Sequence, residues 1–209
     1  MKKNKLALVA VGEKYVDPVC YVVNKFFDTW DVYVLTDNVG SVPLKCRTKQ
    51  HEDKIFSYFE KMLFVLRLVE KLKSGVLYVD VDRIDEFGEE LMNQMVGGDE
   101  VTIKNYWHGT NKNFKGNYDD SVHFKPLIEY CVTNGIDYDV DTFSEEIFYV
   151  PYLNNISEII YDVEKLRPVF EYQSLISIET NKYYPNVGNA EGLALSIALK
   201  KNNHKIKKI

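Results

Sequence analysis

Cysteine is scarce in this chain. Cys20, Cys46 and Cys131 are odd in number and far apart, and no Cys-x-x-Cys occurs. That spacing argues against a disulfide framework or a zinc site and fits a reducing compartment. Long hydrophobic runs are lacking too, because no segment approaches the ~18 apolar residues of a membrane span. An excess of positive charge is also missing. The 26 Lys and Arg are outnumbered by 31 Asp and Glu, for a net charge of −5, and no basic stripe dominates, so nucleic acid is not the expected partner. No repeat, low-complexity linker or break in composition marks a second domain. What is present suits one globular unit: 209 residues, 45% hydrophobic and 27% charged.

The amino terminus imitates a secretory leader. Lys2-Lys3-Asn4-Lys5 precedes the apolar run Leu6 to Val11, but Glu13-Lys14-Tyr15 interrupts it with no small-residue cleavage site. It reads as a first buried strand, and the expected location is cytoplasmic. A helix follows over residues 18–29, on the spacing of Val19, Val22, Val23, Phe26 and Phe27. Trp30 to Thr36 reads as a second strand, and Val42 to Lys45 as a short strand or connector. Ile55, Phe59, Met62, Leu66 and Val69 recur at helical steps, with Ser74-Gly75 as the stop. Alternating strands and helices indicate an α/β fold with a parallel sheet. Further on, the pattern predicts strands at 101–106 and 146–150 and a helix over 122–134. It also predicts a helix capped by Ser157 that ends before Pro168, and a last helix from Ala190 to Lys201.

Gly75-Val-Leu-Tyr-Val-Asp-Val-Asp82 is the segment that carries chemistry. Val76 to Val79 have the composition of a buried strand, which delivers Asp80 and Asp82 at its end. In extended chain these two carboxylates share a side, where they repel and lose solvation. A divalent cation relieves both costs, and oxygen donors without Cys or His suit Mg²⁺ or Mn²⁺. Open α/β sheets bind ligands at the carboxyl ends of their strands. The expectation is a metal-dependent site for a nucleotide diphosphate; the plainer alternative is two aspartates leaving a strand for solvent.

Four segments, in order, resemble the GT-A glycosyltransferases, and within them the retaining family of the mammalian blood-group A and B enzymes. Val9-Ala-Val-Gly-Glu-Lys-Tyr15 is similar to that family's first strand and uridine-contacting turn. Val32-Tyr-Val-Leu-Thr-Asp37 resembles its second strand, Lys61-Met62 its basic residue followed by Met, and Tyr78-Val-Asp-Val-Asp82 its metal motif. The resemblance implies a single Rossmann-like GT-A domain with a mixed, mainly parallel sheet flanked by helices. Residues 1–85 would form the nucleotide-sugar half, and residues 86–209 the acceptor side and tail. It implies a UDP-sugar donor and Mn²⁺ or Mg²⁺ held by Asp80 and Asp82; because nothing obvious reads an N-acetyl group, the expected donor is a UDP-hexose, glucose or galactose. Transfer would go to a hydroxyl of a saccharide or other acceptor, with retention.

On that resemblance Val9, Ala10, Val11, Gly12, Lys14, Tyr15, Asp37 and Val81 would line the donor site. Tyr15 would stack on or border the uracil, or simply pack on the sheet edge. Lys61 would reach the donor sugar or phosphate; a lysine on a solvated helix face is the simpler account. Glu191 aligns with the acid beneath the reacting sugar carbon, with Glu145 and Glu146 next in line, although Ala190 replaces the family's preceding Asp. His204 and Lys205 would fold over the diphosphate, or fray in solvent. Trp107 and His108 are the acceptor-side candidates. Two other classes compete. In a haloacid-dehalogenase-like phosphatase, Asp80 would be the nucleophile and Asp82 the general acid, with Asp99 and Glu100 imitating its later acids. A non-catalytic nucleotide-sugar-binding protein would use the same residues without turnover.

Overall fold

The computed structural model describes residues 3–53, 55–104, 125–141, 145–170, 174–177, 182–185 and 190–209. The strands among the described residues are, in chain order, β1 Asn4–Ala10, β2 Trp30–Thr36, β3 Arg47–Gln50, β4 Ile55–Ser57, β5 Val76–Val79, β6 Val101–Ile103, β7 Ile147–Val150, β8 Ser174–Ser177, β9 Lys182–Pro185 and β10 Ile206–Lys208. The α-helices among the described residues are α1 Val16–Phe26, α2 Tyr58–Leu72, α3 Ile84–Met95, α4 Lys125–Thr133, α5 Ile156–Phe170 and α6 Ala190–Lys201. Seven strands form one sheet in the order β10-β6-β7-β5-β1-β2-β3. Only β7 runs against its neighbours β5 and β6; the other pairings are parallel. A small antiparallel sheet, β4-β8-β9, stands beside it. The fold is α/β, with a mixed, mainly parallel sheet flanked by helices.

Strand alternation divides the core in two. On one face Ala7, Tyr33, Leu35, Tyr78, Phe148 and Val150 pack with α2, α5 and α6. On the other, Leu6, Leu8, Ala10, Val32, Val34, Leu77 and Val79 pack with α1 and α3. Helix α2 buries Met62, Leu63, Leu66 and Val69 completely, each contributing about 1.5–3 kcal/mol relative to exposure. Ser57 caps it, its Oγ accepting the Phe59 N–H at 3.3 Å. The pairs Arg167–Glu60 (2.7 Å) and Arg67–Glu164 (2.6 Å) tie α2 to α5.

Several local expectations are corrected. Ile55 belongs to strand β4, paired with Ser177, and α2 starts three residues later. It ends at Leu72, where Lys73 takes a left-handed φ of 49° ahead of Ser74-Gly75. Of the two readings of Val42 to Lys45, strand or connector, the structure has the connector, and it leads into the edge strand Arg47–Gln50. Ser157 lies inside α5 and its hydroxyl donates to Glu70, while Pro168 falls in the last turn of the same helix. Helix α3, unforeseen, is interrupted at Gly88 (φ 67°). No helix among the described residues is long and apolar enough to cross a membrane.

Candidate functional site

The parallel neighbours β1 and β5 end on the same side of the sheet, and each leaves it by a tight turn. After β1, Gly12 adopts φ 98°, a conformation that favours glycine, and its carbonyl accepts the Tyr15 N–H at 3.0 Å. The Gly12 N–H donates to Oδ1 of Asp37 at 3.1 Å. Asp37, at the end of β2, therefore braces this turn from behind and is not among the residues lining the cleft. After β5, the Asp80 N–H donates to the Glu146 carbonyl at 2.8 Å, and the Asp80 carbonyl accepts the Arg83 N–H at 3.0 Å. Residues 80–83 thus fold into a turn. The expected extended geometry, with both aspartates on one side of a strand, is corrected: Asp80 stays half-buried at the strand end, and Asp82 is exposed on the turn.

Both aspartates nevertheless line one cleft of about 660 Å³. Val9, Val11, Gly12, Lys14 and Tyr15 form one wall, and Lys61, Val81, Arg83 and Glu146 contribute from other elements. Ala10 does not line it. Its side chain points to the opposite face of β1 and packs in the core under α1, as alternation requires. The Lys14 ammonium lies 4.6 Å from the Tyr15 ring centroid, a cation over an aromatic face at the cleft wall.

Lys61 corrects the solvated-face reading. The residue is only 5% exposed. Its Nζ lies 3.8 Å from Oδ1 of Asp80 and 5.3 Å from the ring centroids of both Tyr58 and Tyr78. The Tyr78 hydroxyl donates to the same Oδ1. Burial is the main influence on the Asp80 carboxyl and pushes it above the usual carboxylate range. Lys61 and Tyr78 pull it down, and the charges of Asp82 and Glu146 add to the rise. Among the described residues, Oδ2 of Asp80 and the Asp82 carboxylate have no hydrogen-bond or ion-pair partner.

The two glutamates before β7 divide. Glu146 lines the cleft and pairs with Arg83 at 3.2 Å. Glu145 is buried, and its Oε1 accepts the Gly192 N–H at 2.9 Å in the first turn of α6. A side chain at Gly192 would stand 2.6 Å from that oxygen, so the glycine makes room for the carboxylate. Because β7 runs antiparallel to β5, with Ile147 opposite Val79, residues 145 and 146 stand at the cleft end of the sheet. The start of α6, and Glu191 with it, is tied to that end. The Glu191 side chain, like all of Trp107 and His108, lies outside the described residues.

The tail takes another place. β10 runs parallel to β6 with Ile206 opposite Val101, so His204 and Lys205 precede it at the sheet end opposite Asp80. His204 Nε2 and Asn155 Oδ1 are 2.7 Å apart. The reading of these residues as a cover for the diphosphate is corrected, because strand pairing carries them away from the cleft. The same topology puts Asp99 and Glu100, which precede β6, at that opposite end and separates the phosphatase-like acids from Asp80.

Sequence reasoning missed Glu13, Phe56, Tyr58, Tyr78 and Arg83 as cleft residues. Tyr78 carried a signal, since it lies two positions before Asp80 on a strand and so faces the same way. Phe56 and Tyr58 carried none, because Phe56 lies on β4 and Tyr58 begins the helix directly after it, and β4 forms only by pairing with β8, more than a hundred residues away.

No family model matches the chain, and no curated protein does. Among solved structures it is similar to the glycosyltransferase GlyE of Streptococcus pneumoniae TIGR4, with 12% identity over 100% of this chain and 45% of that one, at a TM-score of 0.48. The apo form of the same glycosyltransferase gives 0.49 at the same identity and coverage. The bifunctional IspDF of Campylobacter jejuni gives 0.45, at 8% identity over 100% of this chain and 49% of the other. The chain spans about half the length of these structures or less.

Proposed function

We propose that the chain is a glycosyltransferase that moves a hexose from a UDP-sugar to an acceptor hydroxyl, assisted by Mn²⁺ or Mg²⁺. The observation that carries this reading is the pair Asp80 and Asp82, with three carboxylate oxygens unpartnered among the described residues, facing a cleft of about 660 Å³ at the carboxyl ends of β1 and β5. The donor set fits a hard divalent ion. Among the described residues no group of three His, Cys, Asp or Glu gathers to form an all-protein cage. Ions of the magnesium type are commonly held by one or two carboxylates together with substrate phosphates. When bound, such an ion supplies positive charge to the departing diphosphate.

The chain's own residues bind and orient. Tyr15 with Val9, Val11 and Gly12 offers an apolar edge for a pyrimidine, with Asp37 holding the turn through Gly12. Lys61 and Arg83 bring positive charge to the diphosphate and sugar. The amino end of α6, with Glu191, is the part of the second half assigned to the reacting carbon. Retention of configuration is what the blood-group resemblance implies, and glucose or galactose is the proposed sugar because nothing obvious in the chain reads an N-acetyl group. The test is a panel of nucleotide sugars with and without metal, with mass and NMR analysis of product. A glycosylated acceptor, or donor hydrolysis in its absence, supports the reading. An intact donor throughout would leave a binding protein.

A further inference from the structure

We infer that Lys61 is a built-in counter-ion of the carboxylate pair, which keeps the donor-free protein from taking up a divalent cation until a nucleoside diphosphate arrives with it. This rests on the proposed metal and nucleotide site and adds an order of binding to it. Lys61 is 5% exposed and sits over the rings of Tyr58 and Tyr78, so its ammonium is held within the protein in the lining of the site. It lies 3.8 Å from Oδ1 of Asp80, which also receives the Tyr78 hydroxyl. One oxygen of the half-buried aspartate thus faces a cation that the chain already owns. Oδ2 of Asp80 and the exposed Asp82 remain for a metal. Any ion there sits beside a fixed positive charge in a partly desolvated site, where repulsion is much stronger than in water.

Among the described residues, the other charged groups lining the cleft are Glu13, Lys14, Arg83 and Glu146. Glu146 is paired with Arg83 at 3.2 Å, and Glu13 and Lys14, of opposite charge, are neighbours on the exposed turn after β1, so among the described residues neither pair offsets Lys61. A diphosphate changes the balance. Its oxygens offer ligands that two carboxylates lack, and its negative charge faces Lys61, Lys14 and the metal together. Lys61 then turns from opponent of the ion into partner of the phosphate. Binding of metal and nucleotide is therefore strongly cooperative, and the coupling is reciprocal.

The experiment measures Mn²⁺ binding by electron paramagnetic resonance of the free ion, for the wild type and Lys61→Met, each with and without uridine diphosphate. In the wild type, Mn²⁺ alone should bind weakly and uridine diphosphate should tighten it by roughly 10²-fold. In Lys61→Met, Mn²⁺ alone should bind at least about tenfold tighter than to the wild type, as expected when a nearby like charge is removed at an effective dielectric near 20. The enhancement by uridine diphosphate should shrink correspondingly. If Lys61→Met does not fold, as judged by circular dichroism, Lys61→Gln makes the same comparison. Lys61→Arg, which keeps the charge, should retain weak binding of the metal alone. Unchanged or weaker Mn²⁺ binding in the neutral variant, with the wild type still responding to uridine diphosphate, would overturn the counter-ion role and leave the metal site standing. Absence of Mn²⁺ binding to the wild type even with uridine diphosphate would overturn the metal site itself, and this inference with it.

Discussion

The Asp80 N–H donates to the Glu146 carbonyl at 2.8 Å. That bond joins the end of β5 to the start of the antiparallel β7, and so brings the second half of the chain to the carboxylates of the first. Glu146 then faces the cleft, while its neighbour Glu145 turns into the core to hold the first turn of α6. One strand reversal in a mainly parallel sheet therefore assembles the site from segments more than sixty residues apart.

The metal reading predicts an asymmetry between the two aspartates. Asp82 is exposed on a turn and has no partner among the described residues, so Asp82→Asn should leave the fold and melting temperature unchanged. It should nearly abolish Mn²⁺-dependent donor binding and turnover. Asp80→Asn should in addition lower stability, because it removes a counter-charge of buried Lys61; breaking a buried pair costs up to about 3–5 kcal/mol, and less where one partner keeps some solvent contact as Asp80 does. Calorimetry of both variants, with activity in the presence and absence of chelator, tests this. Full activity of Asp82→Asn in chelator would exclude a metal role.

The nucleotide reading predicts base selectivity. Uridine diphosphate should compete with the donor far better than adenosine or guanosine diphosphate, because a purine overfills a pyrimidine slot. Tyr15→Ala should weaken uridine diphosphate binding by about 1–3 kcal/mol, the range for stacking of a base on an aromatic ring. Competition titrations with the three diphosphates decide the matter, and equal competition would mean that only the diphosphate is recognised.

These expectations depend on features with very different visibility in the sequence. β1, β2 and β5 were legible because each is a continuous apolar run, the mark of a strand buried on both faces. Helix α6 was found between Ala190 and Lys201. β4 was not, since Ile55 continues the helical spacing of Phe59 and Met62 and becomes a strand only through pairing with Ser177. The tail failed for the same reason: nothing local in Ile206-Lys-Lys208 reveals that β6 will be its partner. Lys61 shows a third kind of limit. A lysine on an amphipathic helix reads as solvated until the helix is known to lie beside a strand end that carries Asp80.

The cysteines give a prediction that needs no ligand. Cys131 is wholly buried, and burial pushes its thiol up to about 11; the same cause lifts Cys46 to about 11. Both thiols should resist iodoacetamide at pH 8 in the native protein and react once it is unfolded. The sign for stability follows from linkage. A thiol whose folded value is raised contributes stability that is intact below the unfolded value near 8.5, and that contribution is lost as pH climbs toward 11. Melting temperature should therefore fall across that window, and less steeply in Cys131→Ala than in the wild type, whatever the offset between them. Equal slopes would remove Cys131 as a contributor.

Glu191 and Glu145 should separate catalysis from stability. Glu145 is buried with Oε1 2.9 Å from the Gly192 N–H, so its carboxylate satisfies a helix amino terminus and complements its dipole. Glu145→Gln should cost about 1–2 kcal/mol of stability, the range for a charge at a partly buried helix end. Its effect on turnover should be modest once the protein is folded. Glu191 has a competing role of the same kind, since an acid in the first turn of α6 is favoured by ~0.3–1 kcal/mol. The proposed function asks more of it: its charge stabilises the positive charge that develops at the sugar carbon. Glu191→Gln should then lower turnover by on the order of 10²-fold or more while donor affinity and melting temperature barely change. Measuring kcat, donor Kd and melting temperature for both variants separates the two roles, because a purely structural acid moves the last and spares the first. If Glu191→Gln turns over near the wild-type rate, the acid passes to Glu146, which lines the cleft beside Asp80, and Glu146→Gln should then show the loss.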